Sequence, residues 1–283
     1  MDNNFKNKEE NAKDARIHSV YMEEMYKDSI QYSGCNSRVY RLSDQECRLL
    51  PLYQSMSYES QTKFWVNRLT TTDMIDYIKD NNPISDKIRF NSNTKIAVLN
   101  FASYKNPGGM FLQGSFAQEE SLCHRSTLYN VLSEYFPLEY RYNNANLNKG
   151  LYDHFAIYSP SILFDEKYLV DVLTCPAPNK TPCIRYKAFT LKENSDCLYD
   201  RIKFMKFICE REELNALIAG AWGCGVFKQD PMEVAEYFVK IFAHSNLSLV
   251  IFSIPDTTKA NIFYREIQRQ KGEFVSWQTP IMR

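Results

Sequence analysis

Long apolar runs are missing from this 283-residue sequence. With them goes the stretch of roughly 18 apolar residues that a membrane-crossing helix needs, so no membrane partner is expected. The N-terminal stretch, Met1 to Arg16, is polar and charged with no apolar core, so it does not read as a secretory leader. Net charge is missing as well: 34 Lys and Arg balance 34 Asp and Glu. No basic block stands out to track a phosphate backbone, and direct nucleic-acid binding is not expected. The eight cysteines, at 35, 47, 123, 175, 183, 197, 209 and 224, form no C-x-x-C pair, and no histidines stand paired at zinc-ligand spacing. This sets aside a metal site and a disulfide scaffold in favour of free thiols in a reducing compartment. An intracellular, cytoplasmic protein follows as the expectation, nuclear if the source is eukaryotic. Internal repeats and low-complexity linkers are also lacking, which makes one domain the economical reading.

What is present is enough to build a sizeable core, at 44% hydrophobic residues. Residues 1–15 are polar and expected to fray, while 16–33 carry apolar residues at a rough helical period. The first hundred residues read as mainly helical with short extended pieces. From Lys95 the pattern alternates. KIAVLNFA (95–102) reads as a buried strand and QEESLCHRSTLYNVLSEYF (118–136) as a helix. Further strands are expected at 155–159, 168–175, 214–222 and 247–255, and helices at 197–210, 231–244 and 258–270, the middle one opened by Asp230 as N-cap and Pro231 at its first position. Strands alternating with helices imply a layered α/β domain with a parallel or mixed sheet. Residues 1–94 read as an N-terminal helical extension of the same domain and 95–283 as the core.

Ligands in open α/β sheets gather outside the carboxyl ends of the strands, and two loops suit that place. Ser103 to Ala117 holds Pro107, Gly108, Gly109 and Gly114, which permit tight turns and close backbone approach. Gly220 to Pro231, GAWGCGVFKQDP, sets Gly223 and Gly225 between a buried strand and a proline-started helix. Such a loop can turn several N–H groups toward a phosphate. Neither matches the Walker A or G-x-G-x-x-G spacing, and a Gly-rich turn alone is more often a plain tight turn.

The first loop leads into Glu119 and Glu120. Ser115-x-x-Gln118 fits a capping box, and acids in a first turn suit the helix dipole, so the two glutamates need do no more than stabilise a helix start on a solvated face. Against this, the helix start follows a glycine loop and a buried strand, where side chains face a cleft. Neighbours on a helix point roughly 100° apart, so two adjacent acids can take two roles.

Asn100-Phe-Ala-Ser, Asn106-Pro-Gly-Gly, Gln118-Glu119-Glu120-Ser-Leu and Gly220-Ala-Trp-Gly-Cys-Gly-Val-Phe227 together resemble the microbial branch of the poly(ADP-ribose) glycohydrolases, whose catalytic module is a macrodomain. The resemblance spans roughly residues 95–270, and VDVLTCPAPN (170–179) and LVIFSIPD (249–256) share in it. It implies a three-layer α/β/α macrodomain-like fold with a mixed sheet and a helical N-terminal extension. It also implies hydrolysis of poly(ADP-ribose) or protein-linked ADP-ribose. Glu120 would be the acid/base and Glu119 would orient the ribose being cleaved. Loop 223–227 would hold the diphosphate, with Phe227 against the distal ribose. The implied binding set is Asn100, Ser103, Asn106, Gly108, Gly109, Met110, Gln118, Gly223, Cys224, Gly225, Val226 and Phe227. No cofactor and no metal is implied, and a monomer is expected.

The chemistry suits these residues. One carboxyl group can give a proton to the departing oxygen and then activate a water through an oxocarbenium-like state. One departure stands out: the family loop reads Gly-Gly-Gly, and here the third place is Met110. It motivates the alternative of a non-catalytic ADP-ribose-binding module; a third reading is a hydrolase of a sugar nucleotide or of ester-linked mono-ADP-ribose, using the same pocket on a different bond. Cys123 and His124 read as helix-face packing, and histidines 18, 154 and 244 carry no functional weight.

Overall fold

The computed structural model describes residues 7–51, 62–80, 94–243 and 245–271. In chain order the elements are α1 (Lys8–Met25), α2 (Lys27–Asn36), β1 (Arg38–Leu42), α3 (Asp44–Leu49), β2 (Lys63–Asn67), α4 (Thr71–Lys79) and β3 (Ile96–Asn100). There follow α5 (Gln118–His124), α6 (Leu128–Tyr135), α7 (Pro137–Ala145), β4 (His154–Phe164), β5 (Tyr168–Thr174) and α8 (Thr181–Tyr186). The chain ends with α9 (Leu191–Arg211), β6 (Ala216–Ala219), α10 (Pro231–Phe242), β7 (Leu249–Ser253) and α11 (Thr257–Lys271).

The strands form one mixed sheet in the order β1-β4-β5-β3-β6-β7-β2. From β5 to β2 neighbours run parallel, while β4 is antiparallel to both β1 and β5. Parallel strands covered on both faces must be apolar throughout, and β3, β6 and β7 are buried at every position. Alternate side chains feed two cores. Ala97 and Leu99 pack with Leu217, Phe252 and the apolar stripes of α9, α10 and α11. Ile96 and Val98 pack with Ile218, Ile251 and the buried faces of α4, α5 and α6. Each buried aliphatic side chain contributes about 1.5–3 kcal/mol. The expected three layers, helices on either side of a mixed sheet, are therefore present, and the N-cap of α10 is Asp230 with Pro231 in its first turn.

The residues before β3 do more than flank this sheet. β1 and β2 form its two edges, and α1 lies against the glycine loop that follows β3. A Cβ at Gly114 would sit 1.9 Å from the carbonyl oxygen of Lys8. Only glycine admits so close an approach.

The helix expected over 118–136 is two, because Thr127 turns its hydrogen bonds to β4. Thr127 N–H donates to Leu163 O at 3.1 Å, and Thr127 Oγ1 accepts from Leu163 N–H at 3.2 Å. The cysteines are all free. His154 is structural: its Nδ1 accepts from Arg201 Nε at 2.9 Å, its Nε2 lies 3.1 Å from Asp44 Oδ1, and burial pushes it down to about 4. His18 Nε2 lies 3.1 Å from Ser126 O, and His244 is outside the described residues. Among the described residues no helix is long and apolar enough to cross a membrane.

Candidate active site

The loops after β3 and β6 face each other across a cleft of about 470 Å³, at the carboxyl edge of the sheet. Gln118 fixes the helix start on the first side. Its Oε1 accepts from Phe101 N–H at 2.8 Å and its Nε2 donates to Leu99 O at 2.9 Å. The amide thus satisfies the end of β3 much as a neighbouring strand would.

With α5 held there, its next two residues enter the cleft. Glu119 is 4% exposed. Its Oε2 accepts from Ser103 N–H at 2.7 Å and its Oε1 from Asn100 Nδ2 at 3.2 Å. Burial pushes the Glu119 carboxyl up to about 8, the Glu120 charge adds to the rise, and the bonds from Ser103 and Asn100 oppose it. Glu120 spans the loop and its own helix: Oε1 accepts from Met110 N–H at 2.9 Å and Oε2 from Ala117 N–H at 3.0 Å. The N-cap is consequently Ala117, and the box expected between Ser115 and Gln118 does not form. Gln118 is committed to β3, and the glutamate three residues after the cap serves in its place.

Gly109 lies where the two carboxyls converge. Its φ is +64°, and a Cβ there would stand 2.5 Å from Glu120 Oε1 and 2.9 Å from Glu119 Oε2. Any side chain would both strain the backbone and displace a carboxylate.

The facing loop is held from behind. Trp222 is buried and donates Nε1–H to Cys175 O at 2.9 Å. Gln229 and Asn194 exchange reciprocal amide bonds of 2.9 Å, and Gln229 Nε2 also reaches Pro178 O at 2.7 Å. In front, no acceptor among the described residues takes the N–H groups of Gly225, Val226 or Phe227. A Cβ at Gly225 would meet nothing within 4 Å. Burial pushes the Cys224 thiol up to about 12, with the Lys259 charge opposing, so it is an unreactive lining group.

A second cavity of about 380 Å³ adjoins the cleft, bounded by the start of α4 and by Ser253 to Asp256, and shares Phe101, Ala117, Gln118, Ala221 and Lys259 with it. Of the residues singled out from the sequence, Ser103, Gly109, Met110, Gln118, Glu119, Glu120, Gly223, Cys224, Gly225, Val226 and Phe227 line the cleft. Asn100 and Gly108 are buried behind it. Asn106 is exposed and shapes the turn, donating its N–H to Ser103 Oγ at 3.2 Å and accepting from Gly109 N–H at 3.1 Å. Ala177 and Lys259 also line the cleft and were missed. Both follow the carboxyl ends of strands, β5 and β7, so the rule that found the other loops applied to them too. Among the described residues no three His, Cys, Asp or Glu side chains group as a metal site.

A mixed sheet between two helical layers, with paired glutamates in a cleft at its carboxyl edge, defines a macrodomain-like glycoside hydrolase. The chain belongs to the microbial-type poly(ADP-ribose) glycohydrolase (PARG) family, whose catalytic-domain model matches residues 9–165. It is similar to the crystal structure of PARG from Thermomonospora curvata, with 27% identity, a TM-score of 0.77 and coverage of 91% of this chain and 99% of that one. The same enzyme bound to the inhibitor ADP-HPD gives 27% identity, a TM-score of 0.74 and the same coverage of 91% and 99%. PARG from Deinococcus radiodurans in complex with ADP-ribose is 29% identical, with a TM-score of 0.69 and coverage of 85% of this chain and 98% of that one. No curated protein sequence matches the chain.

Proposed function

We propose that this chain hydrolyses the glycosidic bond of poly(ADP-ribose), or of ADP-ribose attached to protein, with Glu120 as acid and then base. The observation that carries the proposal is the convergence of both carboxyls on Gly109 opposite the Gly225, Val226 and Phe227 N–H groups, which meet no acceptor among the described residues. Loop 223–227 would take the diphosphate and the cavity beside α4 the adenosine end. The anomeric carbon of the ribose between them would then lie at the glutamates.

Glu120 delivers its proton to the departing oxygen as the C–O bond breaks. The ribose passes through an oxocarbenium-like state, the Glu120 carboxylate takes a proton from water, and the resulting hydroxide closes on the anomeric carbon. One water is consumed and Glu120 is restored. Two N–H donors fix the Glu120 oxygens without reorganisation. Glu119, protonated at neutral pH by its burial, can both donate to and accept from the ribose hydroxyls. The substrate's own diphosphate offsets the developing positive charge. The PARG of D. radiodurans, crystallised with ADP-ribose, supports this ligand class.

The test is incubation with poly(ADP-ribose) and, separately, with mono-ADP-ribosylated protein, following free ADP-ribose. Release from the polymer supports the proposal. Binding of ADP-ribose without release from either would make the chain a reader of the modification, and release from mono-ADP-ribosylated protein alone would make it a hydrolase of the terminal unit.

A further inference from the structure

The cleft and the adjoining cavity meet at Lys259. Among the described residues lining either space it alone is basic, while Glu119, Glu120 and Asp256 are acidic. A ligand bearing the two negative charges of a diphosphate thus meets more carboxyls than ammonium groups. The N–H groups of Gly225, Val226 and Phe227 offer partial positive charge, but a full charge stands at the junction. Chain geometry puts it there: Lys259 lies in the first turn of α11, its N–H donates to Asp256 Oδ1 at 2.9 Å, and its Nζ is 3.3 Å from Asp256 Oδ2. The two side chains are 33% and 49% exposed. An ion pair so open to water holds weakly, and its ammonium can exchange one acceptor for a stronger one. The charge already reaches the loop, since it opposes the upward push of burial on the Cys224 thiol.

The geometry points to Lys259 as the residue that reads the charge of the diphosphate: when the nucleotide binds, the ammonium leaves Asp256 for a phosphate oxygen between the two cavities. Asp256 is its positioning partner in the free protein. The assignment rests on the function proposed above and adds a determinant of specificity to it. Backbone N–H groups fit the shape of a diphosphate, whereas Lys259 separates a charged nucleotide from a neutral nucleoside. Glu119, held neutral by burial, removes one opposing charge from the same space.

The test titrates ADP-ribose, ADP and adenosine by calorimetry into the full chain and into Lys259→Met and Lys259→Arg, at low and at physiological salt. Lys259→Met is expected to weaken ADP-ribose and ADP by about ten-fold or more, the scale of a charge-assisted hydrogen bond. Adenosine should be unaffected and the salt dependence flatter. Lys259→Arg should retain most of the affinity. If the parent binds ADP-ribose and Lys259→Met binds it equally well, the assignment fails and the functional reading stands. An equal loss for adenosine also overturns it, because the packing of the lysine stem would then be the cause. A parent that binds neither ADP-ribose nor ADP overturns both.

Discussion

A Cβ placed on Gly109 would lie 2.5 Å from Oε1 of Glu120, at a backbone φ of +64°. Gly109→Ala is therefore strained by about 1–2 kcal/mol and must also push a carboxylate aside. Turnover should fall by about 10²-fold, the scale of an ångström-sized misplacement, while the melting temperature drops only a few degrees. Parallel measurements of ADP-ribose release and thermal unfolding check this. Full activity in Gly109→Ala would mean that the position of Glu120 is not critical.

The burial of Glu119 gives stability a pH dependence of known sign. Its carboxyl stands at about 8, against an ordinary 4.5. Between those values the folded state binds more protons than the unfolded state, so stability falls as pH rises through the window and levels off above about 8. The slope reaches about 1.4 kcal/mol per pH unit from this one group. Glu119→Gln cannot titrate. Its melting temperature relative to the parent should rise from pH 5 to pH 8 and level off above that, and two parallel curves would contradict a buried, protonated Glu119.

At Gly225 the space above the backbone is open, so Gly225→Val should fold as the parent does. The added side chain would stand between the loop N–H groups and a diphosphate. Calorimetry should show ADP-ribose binding weakened by about 10–100-fold, the loss of hydrogen bonds to a charged group. Equal affinity would place the diphosphate elsewhere.

The four carboxylate oxygens of Glu119 and Glu120 each accept a hydrogen bond from an N–H donor, from Ser103, Asn100, Met110 and Ala117. Oxygens engaged in this way leave little room for the octahedral oxygen shell of a hard dication. ADP-ribose release should survive excess EDTA. Loss of activity in EDTA, restored by magnesium, would refute the single-glutamate mechanism.

Which parts of this site were legible in the sequence follows from how far apart the determining partners lie. Buried β3 and β7 read directly, because strands covered on both faces are apolar at every position. Edge strand β1, RVYRL, is exposed or half-buried along its length and does not announce itself, though it closes one side of the sheet. The break between α5 and α6 was invisible because Thr127 bonds to Leu163, 36 residues on, and neither residue is a helix breaker. Ser115 looked like a cap because spacing alone cannot show that Gln118 is held by Phe101 and Leu99. Lys259 had the look of an ordinary helix-start lysine; only the meeting of two cavities singles it out.

The most direct measurement is poly(ADP-ribose) turnover by Glu120→Gln, set beside its affinity for ADP-ribose. Glutamine keeps the shape of the side chain and one acceptor oxygen but cannot exchange a proton. Turnover should fall by about 10²–10⁴-fold or more, the scale of a lost general acid/base, with ADP-ribose affinity largely retained. Turnover equal to the parent's would remove Glu120 from the chemistry and contradict the mechanism at its centre.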